Sequence, residues 1–175
     1  MAAVNHTEAM AEAVHTLHPV ESRPTLPLLE ARQQLGGLLA GESDLIANAA
    51  NMSAFVNGVL PDLNWVGFYL LREGELVLGP FQGRPACVRI PLGRGVCGTS
   101  AQQRQTLRIA DVHSFSGHIA CDIRSRSELV IPVLNGDELV GVFDLDSPIE
   151  NRFSPDDQNY VEELVDEFVR NQFKA

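Results

Sequence analysis

Positive charge is scarce in this 175-residue chain. Its only lysine is Lys174, and 13 Lys and Arg stand against 23 Asp and Glu, a formal net charge of −10. Nucleic acid is a dense line of negative charge that needs clustered Lys and Arg, so none is expected as a partner. Docking on an anionic membrane is disfavoured for the same reason. A lysine Schiff base, and with it pyridoxal chemistry, has no residue to form on in the body of the chain. Long apolar runs are lacking too: none reaches the roughly 18 residues needed to span a bilayer. Residues 1–24 hold His6, His15 and His18 among small and acidic residues. They show no basic start with an apolar centre, so a flexible extension is expected there rather than a secretory signal. The histidine spacing suits no standard metal site. A cytoplasmic location follows, where thiols stay reduced. Aromatic and sulfur residues are few: one tryptophan, Trp65, and three cysteines, Cys87, Cys97 and Cys121. Most cytosolic cysteines are inert small hydrophobes, so only their surroundings can give them chemistry.

What is present suffices for one domain over 25–175, because 45% of the residues are hydrophobic. Leu28, Leu29, Leu35, Leu38 and Leu39 predict a helix weakened by Gly36 and Gly37. Leu45 to Val59 repeats apolar residues at helical spacing, with Ser43 as the expected cap and Pro61 beyond its end. Asn64–Leu71 and Glu75–Phe81 read as a hairpin, Ala86–Ile90 as a third strand and Thr106–Ile109 as a fourth. Between the last two, Val96–Gln103 reads as a short helix. Cys97 would sit in its first turn, where backbone N–H groups favour a thiolate. Asp111–Ile123 reads as a loop with at most a helical turn. Leu129–Leu134 and Leu139–Leu145 predict two core strands. Ser154-Pro155-Asp156-Asp157 starts a final helix, with Ser as cap and Pro at the first position.

The expected class is α+β: a mostly antiparallel five- or six-stranded sheet with N- and C-terminal helices on one face. The loop-rich stretch 91–127 would cover the other face and leave a pocket there.

Two features point to chemistry in that pocket. Cys121 lies beside Asp122, Arg124 and Arg126 and runs into a core strand, a setting for a reactive thiol. Asp144 and Asp146 fall on one face of a strand, and strands avoid Asp. With a three-residue 135–137 loop, Glu128 falls opposite Asp144 and three carboxylates converge; with a two-residue loop it points the other way. Converging carboxylates need a cation between them. With no histidine in these strands, a ligand ammonium is favoured over a transition metal. Core packing is the default for Trp65, beside Phe68 and Tyr69 at the start of its strand; partly exposed at a pocket wall, it would suit a thioether methyl.

The strings NWVGFYLL (64–71), GPFQGRPACVRIPLGRGVCGTS (79–100), IACDIRSRSELVIPV (119–133) and VFDLDSP (142–148) resemble the free methionine-(R)-sulfoxide reductases, single-domain enzymes of the GAF fold. The resemblance covers about 60–170 and includes the cysteine trio, which generic GAF domains lack. It implies free L-methionine (R)-S-oxide as substrate, no cofactor and a thiol mechanism. Cys121 would be the nucleophile, left as a sulfenic acid. Cys87 would close a disulfide with it, which thioredoxin reduces, and Cys97 is a second candidate partner of Cys121. Glu128, Asp144 and Asp146 would bind the substrate ammonium, Trp65 and Tyr69 its methyl and sulfur, and backbone N–H groups around 117–121 its carboxylate. Arg124 and Arg126 are expected as solvated loop charges. A homodimer is compatible with the fold. The alternative is a GAF-type sensor that binds a small ligand without turnover.

Overall fold

In a computed structural model of the chain, residues 23–115 and 123–173 are described. Cys121, the backbone proposed around 117–121 and most of the N-terminal extension lie outside them. Four helices and six strands follow in the order α1 (Leu28–Leu39), α2 (Leu45–Val59), β1 (Trp65–Arg72), β2 (Glu75–Gly83), β3 (Arg89–Pro91), α3 (Gly95–Gln103), β4 (Leu107–Ile109), β5 (Ser127–Asn135), β6 (Glu138–Ser147) and α4 (Pro155–Gln172). A one-turn 3-10 segment, Val112–Ser114, interrupts the loop after β4. The strands form one sheet in the order β3-β2-β1-β6-β5-β4. Every neighbouring pair is antiparallel. No helix among the described residues is long and apolar enough to cross a membrane.

The helices form where the apolar periodicity placed them, and their ends have local causes. Gly36, a weak helix former, earns its place through packing. A Cβ there would lie 2.9 Å from Glu167 Oε1, so the glycine leaves room for the end of that α4 side chain. The cap of α2 is Asp44 and not Ser43. One residue further on, its carboxylate reaches the Ala47 N–H at 2.8 Å. The Ser43 carbonyl instead accepts from Gln172 Nε2 on α4. Helix α4 opens with a full capping box between Ser154 and Asp157, which satisfies two otherwise orphaned donors. Asp157 also takes the buried Arg152 at 3.0 Å.

Strand alternation divides the apolar residues between the two faces. Val66, Phe68 and Leu70 of β1, Leu129, Ile131 and Val133 of β5, and Phe143 and Leu145 of β6 pack beneath α1, α2 and α4. Phe68 lies between Phe143 and Phe168, with ring centroids 4.7 and 4.9 Å apart. Such aromatic pairs add about 0.5–1.5 kcal/mol each beyond the area they bury. On the opposite face Trp65, Tyr69, Val130 and Val142 pack with Val96, Cys97 and Ala101 of α3. The sheet is thus a wall between a helical core and a second, smaller cluster, and the polar residues of interest sit on the smaller side.

Candidate active site

The β5–β6 hairpin sets which side chains meet. Asn135 pairs with Glu138 and Leu134 with Leu139, so the turn has two residues, Gly136-Asp137, not three. Gly136 takes a positive φ of 59°, which glycine adopts at no steric cost. Alone, that turn would send Glu128 to the helical face. The pairing then slips between Val133 and Leu134: Val133 lies opposite Gly141, leaving Val140 as an extra residue. This bulge changes the parity of everything beyond it. Glu128 therefore returns to the face of Asp144 and Asp146, but opposite Asp146 rather than Asp144. Asp144 stands between Val130 on β5 and Gly67 on β1. The expected convergence is real, and its cause is a bulge and not a longer loop.

Beside the carboxylates, β1 presents Trp65 opposite Asp146 and Tyr69 opposite Val142. Trp65 is buried, as the core-packing reading has it, and it also lines the cavity. It stacks between Phe81, at 5.3 Å, and Tyr69, at 5.8 Å. Both polar tips point at the loop that precedes β3. The Trp65 indole N–H donates to the Arg84 carbonyl at 3.1 Å. The Tyr69 hydroxyl donates to the Cys87 carbonyl at 3.0 Å. These two bonds draw residues 84–87 out of the ladder, which is why β3 begins at Arg89 and not at Ala86.

Helix α3 brings Cys97 over the same face. Gly98 makes this approach feasible, since a Cβ there would lie 2.3 Å from the Pro91 carbonyl. The Cys97 thiol donates to Glu128 Oε1 at 3.8 Å. The expected thiolate is not supported. Burial pushes this thiol well up, and the neighbouring Asp144 and Glu128 charges push it further. Desolvation and two carboxylates outweigh the first turn of a nine-residue helix. The carboxyls follow the same logic. Burial, then Asp144 and Asp146, raises Glu128, and burial, then Asp146, raises Asp144. Asp144 Oδ1 is buried with no hydrogen-bond partner among the described residues. Like charges this close share protons until a cation arrives.

These groups line one small cavity of about 40 Å³, bounded by Trp65, Tyr69, Cys97, Glu128, Asp144 and Asp146. Sequence reasoning missed two further lining residues, Arg94 and Ser125. Arg94 precedes α3 between two glycines and carries the only cationic side chain among the described lining residues. Ser125 is buried and accepts from Asn64 Nδ2 at 3.0 Å. Ser125 is buried and Arg94 is exposed, and neither residue type stands out in a loop from sequence alone. Cys87 is half of a disulfide, whereas Cys97 is a free thiol. Arg126 is a partly exposed loop charge, as expected, and pairs with the exposed Glu150.

The GAF domain family model matches residues 47–170. The chain belongs to the GAF domain family. Within that family it falls among the free methionine-R-sulfoxide reductases. The free methionine-R-sulfoxide reductase of Escherichia coli is 49% identical over 136 residues, which cover 78% of this chain and 82% of that protein. The fRMsr of Staphylococcus aureus, solved in complex with substrate, matches with a TM-score of 0.81 and 46% identity over 86% of this chain and 98% of that one. The free methionine-R-sulfoxide reductase of Neisseria meningitidis, solved in complex with its substrate, gives 0.79 and 39% over 83% and 87%. The six-stranded antiparallel sheet and the flanking helices of this chain are the GAF architecture expected from its sequence.

Proposed function

We propose that this chain reduces free L-methionine (R)-S-oxide to L-methionine with a cysteine thiolate, and that a dithiol reductant such as thioredoxin regenerates it. The observation that carries the proposal is the meeting of Glu128, Asp144 and Asp146 with the Trp65–Tyr69 wall in one cavity. The carboxyls hold the substrate ammonium. On binding, that charge lowers their proton affinity and offsets their mutual repulsion. A peptide nitrogen carries no such charge, which is the basis for preferring the free amino acid. Trp65 and Tyr69 pack on the methyl and sulfur, and Arg94 supplies positive charge for the carboxylate.

The Cys121 thiolate attacks the sulfoxide sulfur. A carboxyl, or a water it holds, protonates the departing oxygen. The S–S bond formed by the attack then breaks as the oxygen passes from the substrate sulfur to Cys121 Sγ; methionine leaves with the electron pair and Cys121 is left as a sulfenic acid. The Cys87 thiol then attacks that sulfur, water departs and a disulfide closes, which thiol exchange reopens. The oxidised state of Cys87 and the free state of Cys97 support Cys87 as the resolving thiol. Cys97 acts as a donor to Glu128. Tyr69, through its bond to the Cys87 carbonyl, is a positioning residue for the resolving step.

Cys87→Ser tests this order. Without added reductant it should still form about one methionine per chain and then stop, with the sulfenic acid trapped by dimedone at Cys121. Sustained turnover at the wild-type rate with thioredoxin would assign the resolving role to another cysteine.

A further inference from the structure

Three donors on the pocket face form a set that an ammonium does not exhaust. Cys97 Sγ, one oxygen of Glu128 and one of Asp144 all lie within 4.8 Å of one another, and all three residues are buried. The two carboxylates alone would suit a hard ion or an organic cation. The structure adds a thiol, which turns the preference toward borderline-soft divalent ions. The spacing agrees. A tetrahedral zinc ion with bonds of about 2.3 Å to sulfur and about 2.1 Å to oxygen holds those atoms roughly 3.6 Å apart. Cys97 Sγ and Glu128 Oε1 are 3.8 Å apart. An independent observation points the same way: Asp144 is 5% exposed, and its Oδ1 has no hydrogen-bond partner among the described residues. Three acidic groups this close repel one another once ionised, and a divalent ion relieves that repulsion by displacing their protons.

We infer that Cys97, Glu128 and Asp144 form a binding site for a zinc-class divalent cation, and that its occupancy excludes the amino-acid substrate. The second half rests on the proposed ammonium site. The first half does not. The ion is an inhibitor here and takes no part in the reduction. Because Cys97 lies outside the Cys121–Cys87 pair of the proposed mechanism, the ion would block the protein without oxidising or consuming its reactive thiols.

The test uses fully reduced protein and zinc in competition with a chromophoric chelator. The double variant Cys87→Ser/Cys121→Ser removes the competing thiol pair. It should bind one equivalent of zinc, and adding Cys97→Ser or Asp144→Asn should weaken that binding by at least about 100-fold, the upper end of what loss of a mere outer-shell partner costs. Circular dichroism checks that each variant is folded. No stoichiometric binding in the double variant, or undiminished binding after both further substitutions, would overturn the site. Methionine sulfoxide should raise the apparent zinc dissociation constant of the double variant in proportion to its concentration. Zinc binding untouched by the sulfoxide would leave the metal site standing and overturn the ammonium assignment instead.

Discussion

Cys121→Ser should lower single-turnover formation of methionine by at least about 10³-fold. A serine hydroxyl is a far weaker nucleophile at neutral pH, and nothing else in the proposed scheme can take the sulfoxide oxygen and later form a disulfide. Cys97 is the obvious substitute, but its environment forbids it: the thiol is buried, held up by Asp144 and Glu128, and donates its proton to Glu128. The measurement is a single-turnover assay with excess reduced enzyme and free methionine-R-sulfoxide, quenched and quantified by mass spectrometry. Activity within tenfold of the wild type would remove Cys121 from the nucleophile's place.

Glu128→Gln should separate function from stability. Losing a charged partner for the substrate ammonium should cost about 2–3 kcal/mol in kcat/KM, which is about 30- to 150-fold. The same change should stabilise the fold at alkaline pH. Glu128 holds its proton more tightly in the folded state, because burial and then Asp144 and Asp146 raise it. The unfolded chain, with an ordinary carboxyl near pH 4.3, sheds that proton first. The wild-type fold is therefore favoured below that pH and loses stability as pH rises above it. Gln cannot ionise, so the variant escapes the loss. At pH 8 the gain should be about 0.5–2 kcal/mol, with Tm rising about 2–4 °C for each kcal/mol. At pH 4 the two proteins should melt together. Thermal melts of both at the two pH values check this, and an equal Tm at pH 8 would show that Glu128 is not held protonated by its surroundings.

Such a trade-off is what a binding site built from like charges entails. The carboxyls of Glu128 and Asp144 are costly in the empty pocket and compensated only when a cation enters. The cluster therefore reads as a site and not as a structural ion pair, in contrast to Arg152 and Asp157, which satisfy each other in the absence of any ligand.

Much of this was legible in the sequence because it depends on periodicity and caps. The bounds of α1, the capping residues of α4 and the shared face of Asp144 and Asp146 follow from local rules. Register was not legible. The string Asn135-Gly136-Asp137 offers more than one turn centre, and the bulge at Val140 has no signature of its own. The position of Glu128 depended on both. Cys97 was misread for a related reason: a helix N-terminus is visible in sequence, whereas the carboxylates and burial that overrule it are tertiary. Residues 86–88 read as the start of a strand because they suit one, whereas the hydrogen bonds of Trp65 and Tyr69 to the backbone at 84 and 87 are tertiary.

The central claim is the substrate and its handedness. The purified chain should be given equal amounts of the R and S epimers of free methionine sulfoxide, together with an R-sulfoxide inside a peptide, with dithiothreitol as reductant and chiral chromatography as readout. Consumption of the free R epimer alone, with the S epimer and the peptide left intact, is the predicted result. An untouched R epimer, or equal loss of both epimers, would contradict the account.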